Sequence, residues 1–383
     1  MGGKAFLIYD EEYLSYKLSD DHPLNPQRYA LTVELMQIAG ILNPGEIIPP
    51  RRATLDELYL VHDPAYVEAV IKLSSNPAKV TGSSFGLGSE DNPIFYGMHE
   101  AAALIAGGSA LAAEMVYEGK ADHVFNVAGG LHHALRDSAS GFCIYNDLAV
   151  AIAKLRENGL KVAYVDLDAH HGDGVQWLFY QDPGVLTISI HETGRYLFPG
   201  TGSITELGEG AAYGTKVNIP LEPYTEDDSW LGALEEVVPD IIRKFKPDVL
   251  VTQHGCDSHR LDPLTHLANT TYVFQESTRL LHDLAHEVCD GRWVAGGGGG
   301  YDYWRVVPRA WAIVWAEMTG RVLPYDVPAD FWRKYEKKAG LFLPRTFLDE
   351  GTSGIPLERR REITTKNQKT VERLKNALAL FWS

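Results

Sequence analysis

Positive charge is in short supply. In 383 residues, 35 Lys and Arg stand against 51 Asp and Glu, a formal net charge of −16. Binding to a phosphate backbone rests on clustered Lys and Arg, so no direct nucleic-acid partner is expected. The balance suits a cationic or lysine-bearing partner, with most of the acids serving solubility. Cysteine is scarce too. Cys143, Cys256 and Cys289 are odd in number and form no C-x-x-C pair, which excludes a disulfide framework and fits a reducing cytoplasm. No apolar run reaches membrane-spanning length. The start, MGGKAFLIYDEEY, lacks the hydrophobic core of a signal peptide, and Phe6 stands where a myristoylation site needs Ser or Thr. A cytoplasmic protein without a membrane partner is expected.

What is present is an ordinary globular composition, 45% hydrophobic and 22% charged. A short strand over Phe6–Tyr9 precedes a Pro-stiffened loop, His22–Arg28, and a helix over Tyr29–Ala39. Helical pieces over Leu55–Val61 and Pro64–Leu73 lead to a glycine-rich loop, Gly82–Pro93. An Ala-rich helix follows over His99–Tyr117, with Gly107 and Gly108 allowing close packing. Strand-like runs then recur at His123–Val127, Val162–Val165, Val185–Ile190, Val249–Thr252 and Trp293–Ala295, each ending in a polar or glycine-rich loop. Helical patterns intervene at Leu148–Glu157, Ser229–Phe245 and Tyr272–Val288, with another at Val306–Met318. This alternation predicts an α/β fold with a single open, mostly parallel sheet flanked by helices, and a site at the carboxyl ends of the strands. No linker divides residues 120 to 320. After Gly320 the sequence becomes Pro-spaced and charged. The division expected is a catalytic domain over 1–320 and an extension over 321–383 packed on it. In its last helix Val371, Leu374, Leu378 and Phe381 share one face.

The densest chemistry is in VAYVDLDAHHGDGVQ, residues 162–176, where an apolar run breaks into carboxylates and imidazoles. Asp168 and His170 are two apart, which in an extended segment puts both on one face, a mixed O/N pair suited to zinc or a similar ion. The strand VLVTQHGC delivers a third ligand, Asp257. Three protein ligands with one position open are the form of a catalytic metal site. AGGLHHAL places His132 and His133 side by side after another strand, and GGGGGYD places Tyr301 after five glycines. Hydrolysis needs a base for the attacking water, and imidazole is the obvious candidate. Asp166 and Asp173 can each orient one histidine. The Tyr301 hydroxyl can donate to a developing oxyanion, and the glycines before it would let substrate approach the backbone.

Together AGGLHHAL, GFCIYND, VDLDAHHGDGVQ, FPGTG, HGCDSHRLDPL and GGGGYD resemble the metal-dependent histone deacetylase family from HPLNPQR to about Gly320, most of all its bacterial acetoin-utilisation branch. The resemblance implies an arginase-deacetylase fold and removal of acetyl groups from lysine side chains of proteins by metal-activated water, releasing acetate. It implies zinc on Asp168, His170 and Asp257. His132 and His133 become the paired histidines, with Asp166 and Asp173 as their respective carboxylates, and Tyr301 the carbonyl-polarising tyrosine. His133 is the preferred base and His132 the more electrostatic partner, with shared work as the alternative. A lysine channel is implied between Phe142 and Phe198, with Gly141 beside the first and Leu264 near the mouth. Asp91 matches a rim carboxylate that binds the substrate backbone, and Arg28 an arginine behind the metal in a cavity for acetate. A structural potassium site is implied at Asp166, Asp168, His170, Ser189 and Ile190. Cys143, His171 and His191 are read as structural.

The donor set would also take ferrous iron or cobalt. The substrate is an acetylated protein or peptide, an acyl-CoA synthetase being one candidate; oligomeric state is not legible. The competing readings are an acetylpolyamine or other small-molecule amidohydrolase, and a non-catalytic acetyl-lysine binder, which would have lost a ligand, a histidine or the tyrosine. A binuclear manganese ureohydrolase is disfavoured, because Gly172, Ser258 and His259 stand where further carboxylates would hold a second metal.

Overall fold

The computed structural model describes residues 3–77, 85–350 and 354–382. Of the glycine-rich loop expected over 82–93, residues 82–84 therefore lie outside the described residues. β1 (Ala5–Ile8) leads through α1 (Gln27–Ile38) to the two-residue β2 (Ile47–Ile48). Helices α2 (Leu55–Tyr59), α3 (Pro64–Ser75) and α4 (Met98–Tyr117) precede β3 (His123–Asn126). Then come α5 (Asp147–Glu157), β4 (Val162–Asp166), α6 (Asp173–Leu178), β5 (Val185–Glu192) and β6 (Lys216–Leu221). The chain continues through α7 (Asp227–Phe245), β7 (Val249–Gln253), α8 (Thr271–Val288), β8 (Trp293–Gly296) and α9 (Val307–Thr319), and ends in α10 (Ala329–Ala339) and α11 (Leu357–Leu378).

Among the described residues, eight strands form one sheet in the order β2-β1-β3-β8-β7-β4-β5-β6. Every neighbouring pair is parallel, so the sheet expected to be mostly parallel is wholly so. Parallel strands covered by helices on both faces read as continuous apolar runs, and β3, β4, β5, β7 and β8 are buried at every residue. β8 comes last in the chain yet lies between β3 and β7, joining the two halves of the sheet.

Several elements escape a reading of periodicity. β2 is too short to carry a pattern, and β6 reads KVNIPL, in which Lys and Pro argue against a strand. Its place at the sheet edge explains Pro220, whose missing N–H costs no ladder bond there. The buried Lys216 ammonium donates to the Val185 carbonyl at 2.6 Å and to Thr215 Oγ1 at 2.9 Å. α6 is hidden among the polar residues of the site.

Local chemistry fixes the helices around the sheet. Thr54 and Glu57 form a reciprocal capping box at α2. In α4 a Cβ at Gly107 would lie 1.9 Å from the Arg51 carbonyl oxygen, so the segment before α2 can cross this helix only at a glycine.

Of the residues after 320, those at 321–350 and 354–382 are described, and both stretches contact the rest of the chain. Arg321 pairs with Glu46. Asp349 accepts from His259 Nε2 at 2.6 Å and from Arg309 Nη1 at 2.9 Å. Helix α11 buries Ile363, Val371, Leu374 and Leu378, and packs on α7 and β6. Phe381, expected on the same face, falls past the helix end, where its ring lies 4.9 Å from that of Tyr213 and stays 41% exposed.

Candidate active site

The carboxyl ends of β3, β8, β7 and β4 are neighbours in the sheet, so the loops that follow them converge. Asp166 is the last residue of β4, Asp168 and His170 occupy the turn after it, and Asp173 opens α6. Asp257 follows β7. Asp168 Oδ2 accepts from Gln253 Nε2 and from the Gly299 N–H, both at 2.7 Å, while Asp257 Oδ1 accepts from the Ala169 N–H at 2.8 Å. These bonds anchor one oxygen of each carboxylate. The others, Asp168 Oδ1 and Asp257 Oδ2, lie 3.1 and 2.8 Å from His170 Nδ1.

These three residues are buried and their donor atoms lie within 4.8 Å of one another. A Cβ at Gly255 would meet Asp168 Oδ2 at 2.1 Å, and one at Gly299 would meet Asp257 Oδ2 at 2.3 Å, so bare backbone cradles the carboxylates. Burial, and then the Asp168 charge beside it, push the Asp257 carboxyl up to about 6. Two carboxylates forced together out of water call for a cation, and an O,O,N donor set fits a divalent ion such as zinc. The glycine run before Tyr301 was expected to admit substrate to the backbone. Instead the Cβ space at Gly298 is filled by Gln253 and that at Gly299 by the two aspartates.

His132 and His133 leave β3 in a loop whose backbone is held by Asp147, which accepts from the Gly130 and Leu131 N–H groups. His132 Nδ1 lies 2.7 Å from Asp166 Oδ2, His133 Nδ1 lies 2.6 Å from Asp173 Oδ1, and the two Nε2 atoms are 3.0 Å apart. Each carboxylate thus fixes one ring and turns its Nε2 inward. Burial works against a proton on either ring. On His132 the charges of Asp166 and Asp168 overcome it and raise the imidazole to about 9. On His133 burial wins, aided by the neighbouring His132 charge, and lowers it to about 4. The pair therefore carries one positive charge at neutral pH, on His132, and His133 is the ring left neutral.

The Tyr301 N–H donates to Asp262 Oδ2 at 2.9 Å, and its ring stands 5.7 Å from Phe142 and 6.5 Å from His170. Burial, then Asp257, keep its phenol well above the usual range, so it remains a donor. Phe198 lies 5.0 Å from His133 and is 44% exposed. Gly141 sits where a Cβ would meet His133 at 2.4 Å and Phe198 at 2.9 Å, and Phe142 itself adopts φ +71°. Asp91 is exposed, and its carbonyl accepts from His22 Nε2 at 3.3 Å, tying it to the ring that packs on Phe142. Leu264 joins through its backbone, donating to the second oxygen of Asp262.

Arg28 is buried, donates to the Gly300 carbonyl at 3.1 Å, and lines a small pocket with Leu24, His132, His133, Asp168 and Tyr301. Of the remaining predicted positions, Ser189 pairs with Asp166 in the sheet register, and its hydroxyl engages His191 Nδ1 at 2.8 Å; Ile190 is buried beside it. Cys143 donates to the Gly141 carbonyl, and burial holds its thiol well above the reactive range. His171 bonds Thr201 and Gln176, and His191 bonds Ser189 and Gly202, so both are occupied inside the fold.

Residues behind the site were not picked out from sequence. Gln253 and Asp262 position Asp168 and Tyr301. The Tyr164 hydroxyl donates to Asp166 Oδ2 at 2.5 Å, and the Tyr16 hydroxyl holds the Phe142 carbonyl at 2.8 Å. Gln253 and Asp262 carried a signal, as polar residues within five positions of Asp257. Tyr16 carried none, being 126 residues from its partner.

A strand-end centre with two carboxylates, an imidazole and a carboxylate-backed histidine pair brings together the groups that a hydrolase uses. The model of the histone deacetylase domain matches residues 22–318, and the chain belongs to that family. It is 48% identical over 372 residues to the acetoin utilization protein AcuC of Bacillus subtilis (strain 168), covering 96% of each chain. It is 42% identical over 369 residues to AcuC of Staphylococcus aureus (strain MRSA252), covering 96% of this chain and 95% of that one. An HDAC homolog from Aquifex aeolicus superposes with a TM-score of 0.86 at 30% identity, over 97% of this chain and 100% of the other. An HDAC homolog complexed with SAHA gives 0.85 at 30% identity, with the same coverage. The family is one of metal-dependent deacetylases, and the similarity lies with its acetoin-utilisation branch. Among the described residues, no helix is long and apolar enough to cross a membrane.

Proposed function

We propose that the protein removes acetyl groups from acetylated lysine side chains of proteins or peptides, with zinc held by Asp168, His170 and Asp257. The observation that carries this reading is the aromatic pair at the entrance. Phe142 stands against Tyr301 and Phe198 against His133, and an unbranched alkyl stem between these rings would present its amide to the reacting groups. Asp91 would take the substrate backbone at the rim. Potassium at Asp166, Asp168, His170, Ser189 and Ile190 would be structural.

When bound, a divalent ion supplies Lewis-acid polarisation of the acyl carbonyl and of the attacking water. His133, neutral and oriented by Asp173, takes a proton from that water as its oxygen bonds the acyl carbon. His132, oriented by Asp166, carries the positive charge that steadies the negative charge developing there. Tyr301 donates to the former carbonyl oxygen. The C–N bond then breaks, the histidine pair returns a proton to the departing lysine nitrogen, and acetate and free amine result. Arg28 offers a cationic wall to the pocket behind the site, suited to a leaving carboxylate.

The test is turnover on matched acetyl-lysine peptides and acetylated polyamines, with zinc, ferrous iron and cobalt supplied separately and a hydroxamate as inhibitor. Hydroxamate-sensitive peptide turnover is expected. Polyamine turnover with no peptide turnover would replace the substrate class.

A further inference from the structure

At the opposite end of the sheet from the deacetylase site, His123 opens β3, and His282 and His286 lie four apart on α8, on one helical face. Their ring centroids are 4.9, 5.1 and 4.8 Å apart pairwise, and one nitrogen from each falls within 4.8 Å of the others. His282 Nε2 and His286 Nε2 are 3.0 Å apart, near the roughly 3.3 Å that separates two nitrogens on a tetrahedral ion. His123 is fully buried, and neither of its ring nitrogens has a hydrogen-bond partner. Such a group is costly to bury unless something satisfies it.

From these observations we infer that His123, His282 and His286 form a second metal site, separate from the deacetylase centre, for a borderline transition-metal ion such as Zn²⁺, Ni²⁺ or Cu²⁺. Three neutral imidazoles favour such ions over Mg²⁺ or Ca²⁺, which take oxygen donors. The surroundings are arranged accordingly. Trp293, the register partner of His123, walls the cluster at 5.5 Å from His123 and 5.7 Å from His282. A Cβ at Gly291 would stand 3.1 Å from the His286 ring, so glycine leaves that ring its space. Burial and the two neighbouring rings lower His123 to about 4, keeping it in the unprotonated form a metal requires. His286 is exposed, leaving the outer position to water or to a further ligand. An ion bound there would tie α8 to the amino end of β3.

The test uses full-length protein with its deacetylase centre already loaded with zinc and excess metal removed. Titration with Ni²⁺ should show one further equivalent per chain and a higher Tm, since an ion that binds the folded state alone stabilises it. His286→Gln and His282→Gln should each weaken that equivalent by more than about tenfold while leaving zinc content and deacetylase turnover unchanged. With Cu²⁺, electron paramagnetic resonance should count three imidazole nitrogens in the wild type, a reading that does not depend on how a buried His123→Phe variant folds. Failure to take up a further equivalent at micromolar Ni²⁺ would overturn the inference. So would a count of two nitrogens, which would reduce the site to the helical pair.

Discussion

Asp166 holds three donors on two oxygens: His132 Nδ1, the Tyr164 hydroxyl and the Asp168 N–H. Asp257 and Tyr301 have narrower duties, which makes their loss easier to interpret. Asp257→Ala should abolish stable metal uptake, because it removes one of three donors; zinc remaining at one equivalent in the deacetylase centre by elemental analysis would contradict the ligand set. Tyr301→Phe removes only the hydroxyl, so zinc content and Tm should be retained while kcat falls by about 10²–10³-fold, the usual cost of one oxyanion donor. Unchanged kcat on an acetyl-lysine peptide would remove Tyr301 from the mechanism.

At the scale of elements, the ends of β4, β7 and β8 were legible because each apolar run stops in residues with no place in a core: Asp168 and His170, Asp257, and Tyr301. The groups that position them were not, since a buried Tyr16 or Tyr164 looks like any core aromatic until its hydroxyl is seen to have a partner. Nor was β6, where edge position and a solvated-looking lysine override the pattern. Gly107 in α4 was legible as a packing glycine, and the Arg51 carbonyl beside it gives the reason. Gly107→Ala should destabilise by about 1–3 kcal/mol in chemical denaturation, despite its better helix propensity; a neutral result would mean that the crossing segment can shift.

That segment is held by charge as well. Arg51 donates to both Glu57 oxygens at 2.7 and 2.6 Å and to Glu114 at 2.7 Å, and Lys154 reaches Glu57 at 2.6 Å, linking α2, α4 and α5. Burial opposes the Glu57 charge, but Arg51 and Lys154 hold the carboxyl down at about 2, below its ordinary 4.5. The folded pKa is the lower one, so this stabilisation is complete above pH 4.5 and is lost as pH falls from there towards 2. Tm measured over that interval should fall, and Arg51→Met should flatten the decline; an identical slope in the variant would show that other carboxylates dominate it.

On the scale of the whole molecule, α11 covers the edge strand β6 and one face of α7, with Asn367 donating to the Thr225 and Ser229 hydroxyls and Trp382 Nε1 to the Gly214 carbonyl. Residues 321–383 were expected to pack on the catalytic part, yet their sequence could not say where, because an amphipathic face names no partner. Removing residues 357–383 should lower Tm and promote aggregation, since an uncovered parallel edge invites further strands. A monomeric truncation with unaltered Tm by light scattering and calorimetry would show the helix to be dispensable.

The placement of β8 also sets an order in time. On the ribosome, the strand that joins β2-β1-β3 to β7-β4-β5-β6 is made last of all eight. Until it emerges, β3 and β7 both show open backbone edges, and the histidine pair on one side of it has no fixed relation to the aspartates on the other. The same late segment brings Gly299, which holds Asp168, and Tyr301. A nascent chain is therefore chemically silent until roughly its last quarter is synthesised, and its most vulnerable moment comes just before it becomes an enzyme.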